Sequence, residues 1–240
     1  MICRKMVEHG LVVAKQGNVS VRLSGDVGVL ITPSGIPYEE MVAADLVILG
    51  LNGEVVQGGL KPSKETPMHL AIYRARRDVC AIVHTHSPYA TAVSVQHEMV
   101  PPFLEEQIPY LGGEIRTAKY GMSGTEGLGA NVVAALGNRN AALLANHGAV
   151  ACGEDLDQAF RNAQLVERIA QVYVLSRLLG NITKLPEGSI RIQTESYEAK
   201  KTPSAFRCKQ RITKTPVQVV KGSTLIAWIS RGAATVLLNR

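Results

Sequence analysis

The chain of 240 residues is 46% hydrophobic and 19% charged, with 22 Gly and 11 Pro, which excludes disordered and fibrous classes and suits one sizeable core with room for an appendage. No stretch reaches the ~18 consecutive apolar residues of a membrane helix, and the N-terminus lacks the apolar core of a signal peptide, so a cytoplasmic protein without membrane association is expected. The formal charge of +6 is uneven: residues 191–240 hold 10 Lys/Arg against 2 Asp/Glu, whereas residues 1–190 hold 16 against 18, which argues against a nucleic-acid partner for the main body of the chain.

In the first 14 residues Ile2, Met6, Val7 and Leu11 fall near helical spacing with no capping residue ahead of them, so the chain is expected to begin inside a helix. Short strands are expected at 19–23 and 29–32, followed by a Pro33-Ser34-Gly35 turn. Residues 46–51 and 54–57, joined by Asn52-Gly53, read as a hairpin. Residues 65–76 read as a helix opened by Ser63, 81–84 as a buried strand and 88–95 as a further helix. Strands at 141–145 and 149–152 flank Asn146-His147-Gly148. Residues 156–179 form a long amphipathic helix with Ala159, Ala163, Val166, Ala170 and Val174 on one stripe, ending at Gly180-Asn181.

Beyond it, Lys200, Lys201, Arg207, Lys209, Arg211 and Lys214 precede an apolar stretch at 225–229, without aromatic interleaving or helical period. Residues 191–240 are therefore expected to be a basic, poorly integrated or irregular C-terminal appendage to a domain spanning 1–190. Cys3, Cys80, Cys152 and Cys208 are far apart and form no Cys-x-x-Cys pair, which suits reduced thiols and leaves any metal to other ligands.

Those ligands are suggested by the histidines. His84 and His86 sit at the end of a strand, where a period of two aims both imidazoles to one face. His147 follows a second strand, with Gly148 leaving space beside the ring. Three neutral imidazoles make a zinc face with one open position, the catalytic pattern, whereas a histidine that merely caps a strand is the plainer reading of His147. Glu65, at a helix start where the macrodipole favours a carboxylate, is either an ordinary helix-start residue or a group able to reach the metal as ligand or base. His69, four residues on, shares its face and reads as a core residue or a support to the site. Gly17-Asn18-Val19-Ser20, Thr32-Pro33-Ser34-Gly35 and Pro62-Ser63-Lys64 combine backbone N–H groups with hydroxyl or ammonium donors, and together they could cradle a phosphate, although each alone suits an ordinary turn.

In order, Gly17-Asn-Val-Ser20, Ile31-Thr-Pro-Ser-Gly-Ile-Pro-Tyr38, Lys61-Pro-Ser-Lys-Glu65, His84-Thr-His-Ser-Pro-Tyr89 and Leu144-Ala-Asn-His-Gly148 resemble motifs of the class II aldolase and adducin-head family, over about residues 4–185. Within that family the likeness is greatest to the aldolases of fuculose phosphate. The resemblance implies an α/β protein with a three-layer α/β/α fold around a mixed, largely antiparallel sheet, assembled as a homotetramer with active sites at subunit interfaces. It also implies one Zn2+, or another divalent ion in its place, per chain, bound by His84, His86 and His147, with Glu65 as catalytic acid/base and fourth ligand. Gly17, Asn18, Thr32, Ser34, Gly35, Ser63 and Lys64 would bind the substrate phosphate.

Two positions depart from that branch. Lys64 stands where it has a second serine, and Glu106, counted back without a gap from Gly112-Gly113, stands where it has a proton-donating tyrosine. Glu106 becomes a second catalytic candidate, able to donate a proton or to remove one from carbon. The expected activity is a zinc-dependent aldehyde-lyase that cleaves a ketose 1-phosphate, such as L-fuculose 1-phosphate, to dihydroxyacetone phosphate and an aldehyde by a retro-aldol reaction. Alternatives are a sugar-phosphate 4-epimerase, which carries an aspartate where Glu65 stands, and a methylthioribulose-phosphate dehydratase, favoured by a carboxylate at Glu106. A non-catalytic adducin-like module is disfavoured because all three histidines and Glu65 are kept.

Overall fold

The computed structural model describes residues 2–23, 28–201 and 208, together with the backbone of three strands between 216 and 238. The chain runs α1 (Ile2–Glu8), β1 (Asn18–Arg22), β2 (Val29–Ile31), β3 (Val47–Leu49), β4 (Val55–Gln57), α2 (Thr66–Ala75), β5 (Ala81–Thr85) and α3 (Pro88–Val95). It continues through α4 (Gln107–Leu111), β6 (Arg116–Ala118), α5 (Glu126–Leu136), β7 (Ala141–Leu144), β8 (Gly148–Gly153), α6 (Leu156–Leu179) and α7 (Glu187–Lys200). Strands β9 (Pro216–Val217), β10 (Leu225–Ser230) and β11 (Ala233–Leu238) form a separate sheet. Among the described residues no helix is long and apolar enough to cross a membrane.

Eight strands make the main sheet in the order β4-β3-β2-β1-β5-β8-β7-β6, antiparallel except for the parallel β6/β7 pair. Alternation within β1 shows how its faces are assigned. Val19 packs with Ala81 and Val83 of β5 beneath α1 and α6, while Asn18 and Ser20 point the other way, toward α2. On that second face Met68, Leu70, Ile72 and Tyr73 of α2 and Leu128, Val132 and Leu136 of α5 cover Ile31, Val47, Ile82 and Val150. On the first, α3 and α6 close over Leu143 and Ala149. The result is the expected three-layer α/β/α architecture with a mixed, largely antiparallel sheet.

Helix α6 buries Ala159, Ala163, Val166 and Ala170 of the expected stripe and leaves Val174 half-buried, and Asp155 caps it by accepting the Gln158 N–H. Its Glu167 carboxylate accepts the N–H groups of Tyr89 and Ala90, at the N-terminus of α3.

Three expectations change. Helix α1 stops at Glu8, because the chain turns at Gly10, which has φ +65°, and Leu11 N–H bonds back to the Met6 carbonyl, so Leu11 and Val12 are buried outside the helix. The expectation of reduced thiols fails for one pair. Cys80 and Cys208 are joined in a disulfide across 128 residues, a contact that local spacing cannot reveal, while Cys3 and Cys152 are free and buried.

Finally, a domain boundary at 190/191 would cut α7, which packs on the body rather than projecting from it. Tyr197, 4% exposed, lies against Gly112 at the end of α4 and donates to the Asn138 carbonyl. Lys201 donates to the Asn138 carbonyl and to Asn140 Oδ1, and its Nζ lies over the Tyr197 ring. Residues 191–201 therefore belong with the core, and the side chains of the basic tail at Arg207, Lys209, Arg211 and Lys214 lie outside the described residues.

Burying the tyrosine ring contributes about 2 kcal/mol. Ending the chain after residue 190 rather than after Lys201 should therefore lower the melting temperature by about 4–8 °C. Thermal unfolding followed by circular dichroism reads this difference, and superimposable curves would return the boundary to 190.

Candidate active site

The site lies where β5 ends beneath the N-terminus of α2. His84 shares the strand parity of Ile82 and so faces α2; its Cα partners are Asn18 of β1 on one side and Val150 of β8 on the other. His86 lies two residues on, just past the strand. His147 comes from the β7–β8 turn, where the left-handed residue is Asn146, with φ +57°, rather than Gly148. Gly148 has a different purpose from the one expected. A Cβ there would fall 2.2 Å from the Thr85 carbonyl oxygen, so its absence lets β8 run close enough to β5 for His147 to meet the other two histidines. Glu65 is the residue before α2, and its N–H is accepted by Ser63 Oγ at 3.2 Å.

The three imidazoles form a nearly equilateral triangle, with ring centroids 4.8, 4.9 and 4.8 Å apart. Glu65 Oε2 is 2.9 Å from His84 Nε2, Glu65 Oε1 is 3.1 Å from His147 Nε2, and His84 Nε2 is 3.0 Å from His86 Nε2. Ligand atoms of these four residues all lie within 4.8 Å of one another. His84 Nδ1 lies 2.9 Å from the Ala149 carbonyl, which can only accept, so Nδ1 carries the proton and neutral His84 presents a lone pair at Nε2. Lone pairs of carboxylate and imidazole thus converge on one point, and such a donor set fits a divalent cation.

Electrostatics agree. Burial pushes the Glu65 carboxyl up, but His84, His147 and the Asn18 amide outweigh it and hold the group well below the usual carboxylate range. Burial opposes a charge on His84, yet Glu65 beside it raises its proton affinity overall. His86 and His147 are pushed down, to about 3 and about 4, by burial and then by the nearby positive charge of His84, so both are neutral and available as ligands near pH 7.

Beside these groups opens a cavity of about 180 Å³, lined by Gly17, Asn18, Ser34, Gly35, Ser63 and Lys64 of the expected phosphate set. Two of its loops are fastened together, Ser34 N–H to the Lys61 carbonyl and Ser63 N–H to the Thr32 carbonyl. Gly17 has φ +70°, and a Cβ on it would lie 2.5 Å from the His84 carbonyl oxygen, so the first loop can lie against the histidine strand only as glycine.

Two members of the phosphate set have other duties. Thr32 does not line the cavity: its Oγ1 accepts the Val19 N–H, which joins β2's end to β1. Asn18 lines it, but its amide donates to Glu65 Oε2 at 2.8 Å. Glu106 is not brought to the site of its own chain. It stands immediately before α4, whose partners are α6 and α7, and it is absent from the cavity lining.

Sequence reasoning missed Ser123, whose hydroxyl donates to Glu65 Oε1 at 2.9 Å, and it missed Lys15 and Gln16 on the cavity wall. Met122-Ser-Gly-Thr125 has the same small, hydroxyl-rich character as the three loops that were singled out, and that was the available signal.

The family model described as "Class II Aldolase and Adducin N-terminal domain" matches residues 1–174. A 5-deoxy-D-ribulose 1-phosphate aldolase of Bacillus thuringiensis serovar kurstaki is 39% identical over 196 residues, covering 81% of this chain and 91% of the relative. An L-fuculose phosphate aldolase of Escherichia coli strain K12 is 37% identical over 198 residues, covering 82% and 90%. A solved L-fuculose 1-phosphate aldolase superposes with a TM-score of 0.78 at 36% identity, over 82% of this chain and 92% of that one. With its convergent Glu65 and three histidines beside a donor-lined cavity, the chain belongs to the class II aldolase family.

Proposed function

We propose that the protein is a zinc-dependent aldehyde-lyase that cleaves a ketose 1-phosphate to dihydroxyacetone phosphate and an aldehyde. The observation that carries this reading is the convergence of Glu65, His84, His86 and His147 at the edge of a cavity lined by Ser34, Ser63, Lys64 and glycine-rich backbone. Two relatives named for different ketose phosphates support the substrate class, and the imidazole-rich ligand set favours zinc.

His84, His86, His147 and Glu65 would hold the ion. When bound, it supplies Lewis-acid polarisation of the substrate's oxygens. Gly17, Gly35, Ser34, Ser63 and Lys64 bind the phosphate and set the sugar's carbon chain against the histidines. Cleavage breaks the bond between C3 and C4. Its electron pair stays on C3, and the C4 hydroxyl loses its proton as C4 becomes the aldehyde. Glu65, after taking up a proton from solvent, delivers it to C3 and completes dihydroxyacetone phosphate, and the proton lost from the C4 hydroxyl balances the one taken up. Ser123, donating to one Glu65 oxygen, holds the carboxylate toward the cavity.

The C4 hydroxyl proton needs a separate acceptor. Glu106 fills that role in this reading if one copy's Glu106 reaches the next copy's site, as a homotetramer with sites between subunits would allow. Exposed Tyr120 and Met122 beside Ser123 give that region apolar surface for such an assembly.

His147→Ala should lose most of the zinc, since two imidazoles and a carboxylate remain, and metal content by atomic emission checks it; full occupancy in a His84→Ala, His147→Ala double variant would remove the site. Occupancy should fall as pH is lowered, because the proton that Glu65 favours on His84 competes with the cation. Glu65→Gln should fold and keep some metal, yet lose at least about a hundredfold in kcat on a ketose 1-phosphate. Turnover equal to wild type would exclude Glu65 from the proton transfer. For Glu106→Gln the expected loss is about tenfold or more in cleavage rate. An unchanged rate would reduce Glu106 to a surface residue.

A further inference from the structure

Helix α2 and strand β1 meet along a row of buried polar side chains, and the chemistry above uses that row only at one end. Asn18, Ser20, His69 and Tyr73 are between 0% and 4% exposed. They form a continuous chain of hydrogen bonds. Tyr73 Oη lies 2.9 Å from Ser20 Oγ, Ser20 Oγ 2.6 Å from His69 Nδ1, His69 Nε2 2.5 Å from Asn18 Oδ1, and Asn18 Nδ2 2.8 Å from Glu65 Oε2. The Arg22 guanidinium covers the far end, 4.9 Å from the Tyr73 ring centroid.

The carboxylate end assigns the direction of the whole chain, since an ionised carboxylate only accepts. Asn18 must therefore turn its N–H toward Glu65 and its oxygen toward His69. That oxygen takes a hydrogen from His69 Nε2, which leaves the lone pair of a neutral ring on Nδ1. Ser20 donates to this lone pair, and the Ser20 oxygen accepts from Tyr73. Every hydrogen in the row points toward Glu65.

With the ring proton on Nδ1 instead, Nε2 would accept from the Asn18 N–H. The amide oxygen would then face the Glu65 carboxylate, so a donor would become a repelling acceptor.

We propose that Tyr73, Ser20 and His69 are positioning residues for catalysis, which by selecting the Nε2–H tautomer of His69 keep the Asn18 amide donating to Glu65 and so set the carboxylate's orientation for proton transfer. The inference rests on the reading of Glu65 as acid/base, and it concerns residues that do not touch the substrate. Partners of this kind govern metal affinity or rate by about 10- to 100-fold when removed.

The full chain, labelled with 15N-histidine and loaded with Zn2+, tests the inference by NMR, with the His69 signals identified by their loss in His69→Gln. The expected result is the Nε2–H tautomer. A ring protonated on Nδ1, or on both nitrogens, would overturn the proposal whatever the activity.

Ser20→Ala removes the donor to Nδ1 at almost no change in volume. It should lower kcat on a ketose 1-phosphate by about tenfold or more, or weaken Zn2+ affinity in chelator competition by a similar factor, with KM within about twofold of wild type. Unaltered kcat, zinc affinity and tautomer in Ser20→Ala would also refute it.

Glutamine at 69 can accept from Ser20 and donate to Asn18, so His69→Gln should recover most of the kcat that His69→Leu loses. Equal losses in the two variants would show that the histidine matters only for packing. Failure of the acid/base reading looks different: Glu65→Gln would then retain activity while the His69 tautomer remained as described.

Discussion

An ionised carboxylate removed from water costs several kcal/mol unless its lone pairs are met, and Glu65 is 6% exposed at the start of α2. Asn18 from β1 and Ser123 from the loop before α5 donate to its oxygens, and His84 of β5 and His147 of the β7–β8 turn bring Nε2 to 2.9 and 3.1 Å from them. Separate parts of the chain must therefore be correctly placed before this one group is tolerable. Much of the tertiary structure can be understood as the means of placing them. A cation among the same groups removes the remaining imbalance, because His86 and His147 are held neutral and Glu65 raises the proton affinity of His84, so the site attracts positive charge.

The placement depends on matched spacing. Two residues along a strand advance about 6.7 Å and four along a helix about 6 Å, so alternate residues of β1 can meet successive turns of α2. Asn18 pairs with Glu65 and His69, Ser20 with His69 and Tyr73, and Arg22 donates to carbonyls of Tyr73 and Arg76 at the helix end. The antiparallel register then sets Asn18 beside His84, so the polar seam delivers its last donor to the histidine strand. Valine on the opposite face of β1 secures the same register from below, since a slip by one residue would exchange the buried valines for the seam.

The C-terminal part braces the sheet at a distance from the chemistry. Tyr197 and Lys201 fasten α7 to the turn around Asn138 and Asn140, just ahead of β7. The Cys80–Cys208 bond ties the following segment to the residue before β5. Both attachments act on strands that lead to His84 or His147, and this gives the segment after α6 a structural part in holding the site's framework.

Short ordered motifs were enough for the amino-acid sequence to point to the family and, through that resemblance, to Glu65, His84, His86 and His147 as the candidate metal group, and periodicity was enough to mark the shared face of His84 and His86 and the buried stripe of α6. Each of these follows from a period of two or 3.6, or from a short motif whose members are neighbours in the chain. His84 and His86 share a face because of the strand's geometry alone. Elements such as α4 and β6, of five and three residues, are too short for a period to register.

Tertiary structure alone decided what Asn18 and Thr32 do with their side chains, that Ser123 reaches Glu65 across 58 residues, that Cys80 meets Cys208, that α7 returns to the body, and that Glu106 stands apart from its own chain's site. The physical reason is the same in every case. A polar side chain takes whichever partner packing brings within about 3 Å, and packing joins segments whose separation along the chain leaves no trace in local periodicity.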